Sequence, residues 1–230
     1  NDRLVVKSVS NENALIIADP QLRGFAPQLP GALREGQEVL EILNGQGFVT
    51  TPVLSADHTE IVEKLFCNDY KIIHLSGHGI FNEDVDKGSG MVIGNNIFLS
   101  TREISQMSTV PELVFVNCCH LGKSNGVSQE LYQQRYKLAA NIGTQLIENG
   151  VRCVIAAGWA VNDEAALEFA RVFYKKMFDG YNFGDSVKEA RNAIFEQFGH
   201  SNTWGAYQCY GDPFYKFRQR QNGQKTSEKT

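Results

Sequence analysis

Short apolar runs alternate with amphipathic stretches along the whole chain, and no other feature of the sequence restricts its fold as much. Residues 14–18 (ALIIA) read as a buried strand, stopped by Asp19-Pro20. A helix is expected over residues 32–44, closed by Gly45 and Gly47. Residues 48–54 form a second strand, and Asp57, with Glu60 three residues on, makes a capping box for the next helix. The third strand, 71–75 (KIIHL), runs straight into Ser76-Gly77-His78-Gly79. A small hairpin is expected from 91–93 and 97–99 around Gly94-Asn95-Asn96, followed by a short helix with a capping box of Ser100 and Glu103. A fourth core strand, 113–117 (LVFVN), ends at Cys118-Cys119-His120. After a polar stretch, 122–136, come a helix ending at Asn149-Gly150, a strand at Cys153–Ala157, a helix capped by Asn162, a helix over 184–198 and a last strand over 204–210. Strands separated by helices predict an α/β fold, a mostly parallel sheet flanked by helices on both faces. Residues 1–217 read as one domain, and the polar tail 218–230 as disordered. The chain begins with Asn1 and not Met, which reads as excision from a larger multidomain protein.

Composition narrows the function. With 42% hydrophobic residues the chain can bury a core, so disorder is not its default. A net charge of −4 without a dense basic run argues against direct nucleic-acid binding. No apolar run reaches the roughly 18 residues of a membrane span. An odd number of cysteines, five, at spacings that form no disulfide framework points to a reducing, cytoplasmic setting. There is no glycine-rich nucleotide loop, and no cofactor is expected.

Reactive groups in such sheets gather just past the carboxyl ends of the strands. Two strand ends qualify: one reaches His78-Gly79, the other Cys118-Cys119-His120 with Gly122 behind it. Side by side they would bring an imidazole and a thiol to one edge, the pairing that nucleophilic catalysis requires. The N–H groups of Gly79 and Cys119 could then bind an oxyanion, a contribution of roughly 3–4 kcal/mol per well-placed donor.

Four motifs occur in order: Leu75-Ser76-Gly77-His78-Gly79, Asn117-Cys118-Cys119-His120-Leu121-Gly122, Gly158-Trp159-Ala160-Val161-Asn162-Asp163, and Trp204 through Gly211-Asp212-Pro213. Together they resemble the CHAT domain, a caspase-like family related to separase, over residues 12–216. The resemblance implies a caspase-like fold and a cysteine endopeptidase that cuts a protein substrate, with His78 as the catalytic histidine. Its nucleophile lies in a small-residue–Cys–x–x–Gly turn, which counts back from Gly122 to Cys119 and leaves Cys118 where a small residue is usual. Separases carry an acid after the tryptophan to receive a substrate arginine. Here that position is Ala160, so an uncharged side chain is expected in the pocket, with Trp159 as a wall; arginine received by Asp163 is the alternative. The resemblance also implies control by a fused or partner sensing domain, often in bacterial or antiviral defence.

Other readings of these residues stand beside that one. His74 reads as a buried strand histidine satisfied by hydrogen bonds. Zinc held by His74, His78, Cys118 and His120 is disfavoured, because neighbouring cysteines point to opposite sides of a strand end. Glu83, Asp84 and Asp86 lack the spacing of a calcium loop and read as a solvated flap, so no metal is expected. Trp159 and Trp204 read as packing residues near the site, with a pocket wall as the other reading of Trp159. A caspase-like domain can also be a catalytically inactive interaction module, which is the alternative function.

Overall fold

The computed structural model describes residues 9, 11–81, 89–120 and 129–217, with the backbone alone for 119, 120 and 129–136. Six strands lie side by side: β1 (Asn13–Ala18), β2 (Val49–Leu54), β3 (Ile72–Ile80), β6 (Leu113–His120), β7 (Cys153–Ala157) and β8 (Tyr207–Gly211). Their order is β2-β1-β3-β6-β7-β8. All pairs are parallel except β7–β8. A hairpin of β4 (Gly90–Gly94) and β5 (Ile97–Leu99) hangs from the end of β3, with Gly79 opposite Met91. The sequence thus folds as the mostly parallel, helix-flanked α/β sheet that its alternation predicts.

Each face of the sheet has its own core. On one side Ile16, His74 and Phe115 face helices α1 (Pro30–Gly45), α5 (Asp163–Phe178) and α6 (Phe183–Phe198). On the other, Leu15, Ile73, Leu75, Val114, Val116 and Cys118 face α2 (His58–Cys67), α3 (Thr101–Ser105) and α4 (Gln129–Glu148). The period-two alternation of each central strand feeds both layers, which is why these strands read as unbroken apolar runs. Phe115 sits at the centre of a ring cluster, with Phe169, Phe173, Tyr174 and Tyr207 at centroid distances of 6.1, 5.9, 5.9 and 5.9 Å.

The predicted helix caps hold with one exception. Ser100 and Glu103 form the reciprocal box on α3, and Asn162 accepts from Ala165 N at the start of α5; at α6 the structure adds a cap that was not predicted, Asn182 accepting from Asp185 N. At α2 Asp57 accepts from the N–H groups of Thr59 and Glu60, but the Glu60 side chain does not return the bond, so this is a cap and not a box. Several boundaries move: α1 starts at Pro30, and β3 and β6 run on to Ile80 and His120. Trp204 belongs to a 3₁₀ turn, Thr203–Gly205, and β8 starts after it. Helix α4 begins at Gln129, inside the stretch read as polar loop, because Gln, Glu, Leu, Arg and Lys are good helix formers even without an apolar stripe. Residues 122–128, the acidic flap with Glu83, Asp84 and Asp86, and the 218–230 tail lie outside the described residues. Among the described residues no helix is long and apolar enough to cross a membrane.

Candidate active site

The sheet brings the two predicted strand ends together. β3 and β6 are neighbours in parallel register, and the pairing continues past the apolar runs: Ser76 with Asn117, Gly77 with Cys118, His78 with Cys119, Gly79 with His120. Strand alternation divides the cysteines between faces. Cys118 is 3% exposed in the core beneath α4. Position 119 shares the face of Phe115 and Asn117, which is also the face of His74, Ser76 and His78. The same alternation removes a zinc site drawn from His74, His78 and Cys118, since the thiol lies on the far side of the sheet from both rings.

His78 is half-buried, and its Nε2 lies 2.8 Å from the carbonyl oxygen of Pro27. A carbonyl only accepts, so the ring proton is on Nε2 and Nδ1 is the basic nitrogen. Pro27 belongs to the connection between β1 and α1. This is the place where the strand order switches, since the chain leaves β1 towards β2 on one side and β3 lies on the other. Sequence reasoning did not find Pro27, because a backbone acceptor has no side-chain signature. Gly79 is flanked by Met91 of β4 and His120 of β6. A β-carbon there would come within 2.8 Å of Leu138 Cδ2 and 3.1 Å of Cys118 Cβ.

Below the strand ends lies a buried polar cluster. Glu35 of α1 is 1% exposed and accepts from Asn117 Nδ2. Its other oxygen is 3.1 Å from His74 Nε2, off the line of the ring N–H, so the two are in polar contact without a directed hydrogen bond. His74 Nδ1 is 3.2 Å from the Tyr174 hydroxyl. Burial, and then the Glu35 carboxylate, push the Tyr174 hydroxyl well above its ordinary titration range, so it remains a donor. His74 is thus the buried strand histidine expected, hydrogen-bonded through Nδ1 but not through Nε2; the neighbouring Glu35 was not foreseen.

The remaining predicted residues diverge. Trp159 is half-buried, with its ring against Gly205, and its Nε1 has no partner among the described residues. Ala160 is exposed. Asp163 lies over the first turn of α1: a β-carbon on Gly31 would stand 2.3 Å from its carboxyl group. That turn begins three residues after Pro27, which sets Asp163 on the His78 side of the molecule. Trp204 packs edge-on against Phe195 of α6, with ring centroids 5.7 Å apart.

A profile of the CHAT domain matches residues 2–212. Among solved structures, the Arg-specific cysteine proteinase gingipain R is similar to 91% of this chain at 16% identity, with a TM-score of 0.53. The complex of Porphyromonas gingivalis RgpB pro- and mature domains is similar over the same share at 11% identity, also with a TM-score of 0.53. In both cases the match spans 48% of the other chain, so this chain covers about half the length of those proteinases. Among curated proteins no relative matches it. At such identities the likeness is one of fold: the mostly parallel, helix-flanked sheet of this chain is similar to the one in those proteinases. Sheet order, the two strand ends and the match over nearly its whole length agree: the chain belongs to the CHAT domain family.

Proposed function

We propose that this chain is a cysteine endopeptidase that cleaves a protein substrate through Cys119 and His78. The observation that carries the reading is the β3–β6 register, which pairs His78 with Cys119 at the carboxyl edge of the sheet. With Nε2 occupied by Pro27, Nδ1 is the nitrogen that exchanges protons. His78 Nδ1 takes the thiol proton of Cys119 as the sulfur attacks the scissile carbonyl carbon, and the N–H groups of Gly79 and Cys119 take the oxyanion. His78 passes that proton to the leaving amine as the C–N bond breaks, then takes a proton from the water that hydrolyses the thioester and returns it to the departing sulfur. We assign the pocket beside the cleaved bond to Trp159, Ala160 and Asp163, favouring an uncharged side chain because Ala160 offers only a methyl group. Asp163 over the first turn of α1 keeps arginine as the alternative. By family resemblance, a fused or partner sensing domain would switch the enzyme on, in bacterial defence and in the reducing cytoplasm.

The test is a matched set of variants, with the activator supplied if one is needed. Wild type should cut a protein partner and be labelled by a thiol-directed peptide inhibitor. Cys119→Ala should abolish both, while Cys118→Ala keeps measurable turnover. A dead Cys118→Ala with an active Cys119→Ala would move the nucleophile by one residue. Absence of reaction under every activation would make the domain an inactive interaction module. A positional peptide library then reads the pocket: cleavage mainly after Arg, lost in Asp163→Ala, would overturn the uncharged assignment.

A further inference from the structure

The connection from β1 to α1, residues 19–29, is the wall against which His78 rests. We propose that Asp19 is a positioning residue: its buried carboxylate holds this connection so that the Pro27 carbonyl keeps the proton of His78 on Nε2. The proposal rests on the reading of His78 as the acid–base group.

Asp19 stands at the end of β1, yet it is only 5% exposed. Its φ of 49° lies in the left-handed region, which aspartate tolerates better than most residues. That bend turns the chain off the sheet while its N–H still donates to Ser76 O at 2.9 Å, two residues before His78 on β3. Its carboxylate then reaches across ten residues to accept from Leu29 N at 2.7 Å, a charge-assisted bond that closes the loop. Gln28 closes it a second time, donating through Nε2 to the carbonyls of Asp19 and Pro20 at 3.3 Å each. Gln21 ties the outgoing limb to the loop after β2, through its N–H to Ala56 O at 2.9 Å and its side chain to Ser55 O at 2.6 Å. Leu22, 2% exposed, pins the middle.

Pro27 precedes these two closing residues directly. Its carbonyl belongs to the Pro27–Gln28 peptide, so any rotation of that peptide is resisted by the bonds at Gln28 Nε2 and Leu29 N. Because Asp19 is also bonded to β3, the acceptor and the histidine are held in one frame. Released from this frame, the imidazole would lose its fixed acceptor, and Nδ1 would no longer be held as the base.

Nitrogen NMR of histidine-labelled protein, alongside steady-state kinetics, tests this on the full chain. In wild type His78 should show a protonated Nε2 and a basic Nδ1. Asp19→Ala should mix the two tautomers and lower kcat by about 10²-fold, the scale of a small misplacement at a reacting group, with KM little changed. Asp19→Asn keeps an oxygen for Leu29 N and should retain the wild-type tautomer. Gln28→Ala, at an exposed position, should shift the tautomer part of the way and decides the matter if Asp19→Ala fails to fold. A wild-type tautomer in these alanine variants, or a rise in KM with unchanged kcat, would overturn the proposal. The NMR arm needs no turnover: a tautomer that shifts while cleavage does not would sink the role given to His78 and leave the positioning role of Asp19 standing.

Discussion

Replacing Glu35 by alanine should remove a substantial part of the stability margin of this domain, because the residue is buried under the sheet. Its carboxylate is the acceptor for Asn117 Nδ2 and lies in polar contact with His74 Nε2, both buried. The Asn117 donor left without its acceptor costs about 1–3 kcal/mol. Against a total of about 5–15 kcal/mol, that is a large fraction. With an m-value of about 2 kcal/mol/M, the urea midpoint should fall by about 1 M while m stays constant. Glu35→Gln keeps one oxygen for Asn117 and should lose much less. Replacing Glu35, His74, Asn117 and Tyr174 together by apolar residues of similar size should cost less than Glu35→Ala alone, because nothing is left uncompensated. A Glu35→Ala midpoint indistinguishable from wild type would refute the claim that the Asn117 donor depends on the carboxylate.

Other perturbations follow from the same physics. Gly79→Ala sets a methyl group 2.8 Å from Leu138 and 3.2 Å from the Cys118 carbonyl oxygen; it should destabilise by about 1–3 kcal/mol and depress turnover, read by urea melts and peptide cleavage. Burial pushes the Cys153 thiol up to about 12 and that of Cys209 to about 11, whereas Cys67 is exposed. At about pH 8 a disulfide reagent should therefore label Cys67 quickly and the other two only as fast as the chain opens, as followed by mass spectrometry. Hydrogen bonds from the backbone of Glu60 and then Thr59 hold the Asp57 carboxyl below its ordinary range. Its contribution to stability is present above the unfolded titration and lost as pH falls through the folded one. Urea titrations at descending pH should show that acid limb flattened in Asp57→Asn.

Strand and helix placement were legible because each element carries its own signal: an apolar run of strand length, or a cap such as Asn162 followed by a 3.6-residue stripe. That His78 and Cys119 stand at strand ends was legible for the same reason, but that their strands are neighbours is decided by the β3–β6 pairing. What the sequence hid depends on contacts distant along the chain. Glu35 looks like any surface acid of an amphipathic helix; only α1 packed across His74 and Asn117 makes it a core residue. Pro27 acts through a carbonyl that every residue possesses. Trp204 fits a strand by type, but the 3₁₀ turn it occupies arises from tertiary packing against Phe195 and not from propensity.

The ring cluster around Phe115 bears on how the chain is made. His78 and Cys119 lie in the first 120 residues, but the rings that press on their shared face, Phe169, Phe173, Tyr174 and Tyr207, lie far downstream. A nascent chain presents the histidine and the cysteine to the cell well before it can clamp the strands carrying them. Pairing of distant segments waits for the chain that closes the loop. Until Tyr207 has left the ribosome, the β3–β6 edge has one layer of its packing missing.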